Sequence, residues 1–86
     1  MTKAEQINNR IDKLQNLGNE TLTSTTEIIR DHVEFYNNCL ESWQIQQIKS
    51  DKWSAEEIKA GIIAANAGLD MAEGIVNELR IKYLED

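Results

Sequence analysis

SAEEIKAGIIAANAGLDMAEGIVNELRIKY, residues 54–83, decides the fold. Ser54 and Glu57 stand in the S-x-x-E order of a capping box, in which the serine oxygen accepts from a free N–H of the first turn and the glutamate answers the cap's own N–H. Beyond the cap, Ile58, Ile62, Ala65, Leu69, Ala72, Val76, Leu79 and Tyr83 recur at alternating steps of four and three. That period places one side chain after another on a single stripe of a helix facing a partner helix. The run therefore predicts one uninterrupted helix over 54–84.

The middle of this helix is nearly bald. Ala60, Gly61, Ala64, Ala65, Ala67, Gly68, Ala72 and Gly74 leave little beyond backbone on much of its surface. A glycine costs roughly 1 kcal/mol relative to alanine in a helix interior, so glycines at 61, 68 and 74 call for a packing reason. Small residues let another backbone come close, and Ala60, Ala64, Gly68 and Ala72 are expected to form the surface through which copies of the chain associate. Asn66 lies in the same section. An amide there either faces solvent or hydrogen-bonds across an interface, where it sets register.

The remaining composition agrees with an all-α protein. The chain has 86 residues and no proline, enough for one domain spanning 1–86 and a small core. A domain of this size buries only about 60–65% of its unfolded surface, so self-association helps it. Its single cysteine, Cys39, excludes an intrachain disulfide. With neither a leader pattern nor an apolar run long enough for a bilayer, a soluble, cytoplasmic protein without membrane contact is expected. The formal charge of −6 argues against direct binding to a nucleic-acid backbone, where cationic side chains must replace condensed counterions.

Upstream, Thr2-Lys3-Ala4-Glu5 opens a second capping box. Ala4, Ile7, Ile11 and Leu14 follow at heptad spacing, and Gly18 is placed to end the helix in the left-handed conformation, predicting a short helix over 3–17. At about four turns it is marginal alone and must dock on something. Its other side carries Lys3, Arg10 and Lys13, the one local concentration of positive charge. Asn19 or Thr21 caps a second helix over 20–48, with a main stripe of Leu22, Thr26, Ile29, Val33, Tyr36, Leu40, Trp43 and Gln47. A second stripe, Ile28, His32, Phe35 and Cys39, widens its apolar face beyond a two-stranded seam. The threonines at 21, 23, 25 and 26 have low helix propensity and favour a late or frayed start. Residues 49–53 form the turn before Ser54, with Trp53 placed to staple onto Ile58. Two long helices, each roughly 45 Å at ~1.5 Å per residue, joined by a short turn make an antiparallel hairpin. The short first helix packs on it, and oligomerisation completes the incomplete bundle.

No catalytic constellation emerges, and the chain reads as a non-enzymatic protein without a cofactor or metal. His32 and Cys39 share a face, but two ligands do not make a zinc site. Glu56 with Glu57, and Glu85 with Asp86, are sequence neighbours that point apart on a helix. The glycines lie inside a helical pattern rather than between a strand and a helix, so they form no phosphate loop.

Two short segments, Ile7-Asn8-Asn9-Arg10-Ile11 and Ala65-Asn66-Ala67-Gly68-Leu69, resemble motifs of small phage-encoded helical sponge (anti-CBASS) proteins, which sequester cyclic oligonucleotide signals. In that family the first motif lies near the N-terminus and the Ala-Asn-Ala segment on the last helix of a short-helix-plus-hairpin fold assembled into hexamers. The family tends to place an arginine shortly after Ala-Asn-Ala, where this chain has Asp70 and Met71. The resemblance covers about ten positions.

Three functions follow as expectations. The first is an acidic helical interaction protein, of the kind phages or mobile elements encode as anti-defence accessory factors, which self-associates and acts by binding or sequestering a partner such as a host protein. The second is an oligomeric sponge for cyclic oligonucleotide signals that blocks host immune signalling, with Lys3, Arg10 or Lys13 meeting phosphates, Tyr36 or a tryptophan stacking on bases and Asn66 lining the pocket. The third is an inhibitor that presents its acidic face to a nucleic-acid-binding protein.

Overall fold

The structure, a computed structural model, describes residues 1–84. It contains three helices: α1 (Lys3–Gln15), α2 (Glu20–Lys49) and α3 (Ala55–Tyr83). Their starts are set by local side-chain chemistry. Thr2 and Ser54 each close a capping box, with Glu5 and Glu57 respectively. Asn19, rather than Thr21, caps α2 by accepting from the Leu22 N–H at 3.0 Å. α1 stops two residues short of the expected 17 because Gly18, at φ +75°, turns the chain toward α2. At the other connection Ser50 Oγ accepts from the N–H groups of Lys52 (3.2 Å) and Trp53 (2.8 Å), folding 50–53 into a tight turn. The threonine-rich start of α2 is helical from Glu20 onward. Thr25 Oγ1 donates to the Thr21 carbonyl at 2.9 Å and Thr26 Oγ1 to that of Leu22 at 2.8 Å, so these hydroxyls bond along the helix instead of breaking it. The pairing of Glu85 with Asp86 lies outside the described residues.

α2 and α3 form the antiparallel hairpin, and two aromatic–glycine crossings fix its register. The Tyr36 ring lies against Gly68, and the Trp43 ring against Gly61. The rings are seven residues apart on α2 and the glycines seven apart on α3, so one register satisfies both. A Cβ at either glycine would fall inside the facing ring. The expected α3 stripe is the core stripe: Ile58, Ala65, Leu69, Ala72 and Val76 are buried, with Ile62 and Leu79 half-buried. Tyr83, at its end, is 38% exposed.

α1 docks across the half of the hairpin far from the α2–α3 turn. Ile7, Ile11 and Leu14 are fully buried against Leu22, Ile29, Val33, Leu69, Ala72 and Val76. Thr26 sits among them with no exposure, its hydroxyl engaged by the Leu22 carbonyl and by Gln15 Nε2 at 3.1 Å. The side chains at 28, 32, 35 and 39 do not join this core. Ile28 and Phe35 are 61% and 60% exposed on the face away from α1.

One feature of the expected packing is different. The steps of four linking Ala60, Ala64, Gly68 and Ala72 turn about 40° each against the helix period, so the set winds from one face to another. Gly68 and Ala72 are buried inside the chain, whereas Ala60 and Ala64 stay exposed, and the four do not form one association surface. Trp53 packs edge-on against Trp43, with ring centroids 5.2 Å apart and planes at 74°, joining the turn to α2 across the hairpin.

Two sets of substitutions test this packing. Ile11→Ala should lower stability by roughly 2–5 kcal/mol through the cavity it leaves. Gly68→Leu, forced into Tyr36, should cost about 1–3 kcal/mol. Gly74, with open space around its Cβ position, should instead gain roughly 0.5–1 kcal/mol on substitution by alanine. Thermal or urea denaturation of the three variants reads all these signs, and a stabilised Gly68→Leu would refute the Tyr36–Gly68 crossing.

Candidate functional site

The positive charge of α1 is engaged by α3 and α2. Lys3 Nζ pairs with Asp70, and Arg10 bonds to Glu73 Oε2 at 3.3 Å and Asn77 Oδ1 at 3.2 Å. Because the partners advance along α3, from Asp70 to Glu73 and Asn77, as α1 advances from Lys3 to Arg10, α1 runs parallel to α3. On its other flank Arg30 bonds to Asp12 at 2.6 Å and Gln15 at 3.3 Å, while Gln15 donates to Glu27 at 2.7 Å. The apolar edge of α1 thus lies between two polar seams, one to each long helix. Hydrogen bonding to Asp70 holds the Lys3 ammonium above its ordinary value of 10.5, desolvation opposes this, and the charges of Asp70 and Glu73 add to it. A raised lysine keeps its partner's contribution throughout neutral pH and loses it only as pH climbs through the shifted value.

Of the five expected ligand residues, the structure brings together two. Lys3 and Asn66 line one cleft of about 320 Å³ between the start of α1 and the hairpin, with Asn37, Glu41 and Gln44. Tyr36 is absent from it. Its ring lies on Gly68 and packs edge-on against Phe35 at 5.3 Å, in a groove on the other side of the α2–α3 seam. Arg10 is half-buried and tied to α3 through Glu73 and Asn77. Lys13 is exposed, away from the cleft, with no ion pair among the described residues. Ile7, Ile11, Ala65 and Leu69 of the two family-like segments are core, whereas Asn66 and Ala67 are exposed. Asn8 Oδ1 is buried where no donor among the described residues reaches it.

His32 and Cys39 make no metal site. Nδ1 of His32 donates to the Ile28 carbonyl at 2.9 Å, and Cys39 is a half-buried free thiol. Among the described residues no three metal-ligating side chains cluster, and no helix is long and apolar enough to cross a membrane.

The feature missed from periodicity is the apolar groove opposite α1. It measures about 300 Å³ and is lined by Ile28, His32, Tyr36, Met71 and Ile75, with Gly68 at its floor. The signal was present: Ile28, His32, Phe35 and Cys39 form a second stripe, and Met71 and Ile75 sit one turn apart on α3. Compared with protein-family models, with curated proteins and with solved structures, the chain matches none.

The role of Arg10 is measurable. In a double-mutant cycle, Arg10→Ala and Glu73→Ala should show a coupling of about 0.5–1 kcal/mol, weakened by salt, as for a partly exposed pair. Additive effects would release Arg10 from this structural role.

Proposed function

We propose that this chain is a non-enzymatic helical interaction protein that self-associates and acts by binding or sequestering a partner. The observation that carries the reading is the bare apolar face of the hairpin. Ile28, Phe35, Met71 and Ile75 are between 44% and 70% exposed on neighbouring turns of α2 and α3. Together they present on the order of 400 Å² of apolar surface, within the 300–600 Å² typical of a monomer's largest and often functional patch. Such a surface favours docking of another apolar helix face over chemistry on a small substrate. Cross-linking in the cells that express the protein tests this. Wild type should give a cross-linked species that Phe35→Glu loses, and a chain that never cross-links to itself or to another protein would end the interaction reading.

A second reading, capture of an anionic cyclic oligonucleotide, is supported by the joining of Lys3 and Asn66 in one cleft beside exposed amides. Glu41 in the same cleft and Asp70 against Lys3 weigh on the other side, since both repel phosphate. A ligand bound only by the folded state raises the melting temperature. Under this reading, a panel of cyclic oligonucleotides should include one that protects wild type but not Asn66→Ala. Absence of protection by any member at millimolar concentration would remove it.

A further inference from the structure

The connection between α1 and the hairpin depends on one residue. Residues 16–19 link α1 to α2, and all of them are exposed. Gly18, at φ +75°, is the one residue at positive φ among the described residues. Nothing lies within 4 Å of the place its Cβ would occupy, so only the backbone conformation asks for glycine there. The bonds that close the turn are local. The Leu17 N–H donates to the Leu14 carbonyl and the Gly18 N–H to that of Gln15, both at 3.2 Å. A straight helix would move each bond back one residue, and the Leu22 N–H that Asn19 caps would take the Gly18 carbonyl. Straightening therefore strands no polar group. The apolar pattern also runs on through the hinge. On one continuous helix of about 100° per residue, the buried residues of α1, Ala4 to Leu14, and those of α2, Leu22 to Val33, share an arc of about 120°.

We propose that α1 exchanges between two copies of the chain, with Gly18 as the hinge and the hairpin surface under α1 as the interface. The proposal deepens the self-association in the interaction reading, on which it rests, and makes no use of the bare face. With 16–19 straight, α1 and α2 become one helix over 3–49, roughly 70 Å long at ~1.5 Å per residue. Its α1 portion then points away from its own hairpin and reaches only that of a second copy. The closed chain shows that the fit exists. Ile7, Ile11 and Leu14 are fully buried, and Lys3, Arg10 and Asp12 pair with Asp70, Glu73 and Arg30. All these partners lie on α2 or α3, so a second copy's hairpin offers them unchanged. Orientation agrees as well. α1 runs antiparallel to α2, since Asp12 meets Arg30 and Gln15 meets Thr26. Two straightened chains therefore lie antiparallel about a two-fold axis at the hinge, each α1 on the other's α2. The shared phase keeps both apolar edges facing inward. Proximity favours the closed form, because α1 meets its own hairpin without a second chain, and the glycine permits the turn that closure needs.

Thiol cross-linking reads the exchange directly. In a Cys39→Ser background, Arg10→Cys and Glu73→Cys place one thiol on each side of the α1–α3 seam. While Gly18 is kept, a short bis-maleimide at micromolar protein should join them within one chain, giving a product of single-chain size on a denaturing gel. Adding Gly18→Ala should turn that product into a covalent dimer, with the helical circular dichroism retained. Holding alanine in the left-handed conformation costs roughly tenfold per hinge and a dimer frees two, so half-exchange should need about a hundredfold less protein. Gly74→Ala, which also meets open space but lies inside α3, should leave the in-chain product. The chain that keeps Gly18, refolded at millimolar concentration and cross-linked promptly after dilution, should also give covalent dimer, and this arm does not depend on a hinge variant folding. In-chain product alone in both the Gly18→Ala and the refolding arms would overturn the exchange. If light scattering shows a dimer whose thiols join only within chains, the exchange fails while self-association stands on another surface. A monomer in every arm removes self-association as well.

Discussion

Two rings resting on two glycines hold this structure in register. Tyr36 on Gly68 and Trp43 on Gly61 bring α2 and α3 close at two points seven residues apart, and sliding either helix by a turn would drive a ring into a side chain. The close approach lets Leu69, Ala72 and Val76 share one buried layer with Ile29 and Val33, against which α1 then lays Ile7, Ile11 and Leu14. Glycine lowers the helical propensity of α3, and the shape match it permits is the compensation. The hairpin is thereby a platform of defined register, and α1, too short to be stable by itself, takes its position from that platform.

Much of this was legible in the chain. Capping boxes at Thr2 and Ser54 and the three-four rhythm from Ile58 to Val76 are local patterns, and local patterns determine helix starts and core stripes. Glycines at 61 and 68 announced a close approach, though not what approaches. Other features were illegible for a physical reason: they depend on residues far apart in the sequence. Nothing near Arg10 in the sequence announces Glu73 and Asn77, the two side chains that tie it to α3. Periodicity also establishes that α2 has two apolar stripes without saying that α1 covers only one. The stripe through Ile28 and Phe35 read as a widening of the apolar face, and it is the face that α1 leaves bare.

The division of surfaces gives each side of the hairpin a separate character. The side under α1 is sealed, with charge pairs on both flanks and an apolar strip between them. The opposite side is open and exposes Ile28, Phe35, Met71 and Ile75. Between the start of α1 and the hairpin lies the one cleft that retains Lys3 and Asn66 together. A ligand there and a helix on the bare face would occupy different surfaces, so binding at one leaves the other geometrically free.

α1 reaches only part of the hairpin, and this grades the molecule along its length. The half beyond Leu40 has two helices where the other half has three, and Ile58 there is buried outside the main core cluster. Fewer apolar contacts mean a lower free energy of local opening, so amide protons near the hairpin turn should exchange before those facing α1. Both tryptophans, Trp43 and Trp53, sit in this less protected half. The natural fluorescence of the protein therefore watches its loosest end, and a fluorescence melt will describe the tip while the helical signal describes the body.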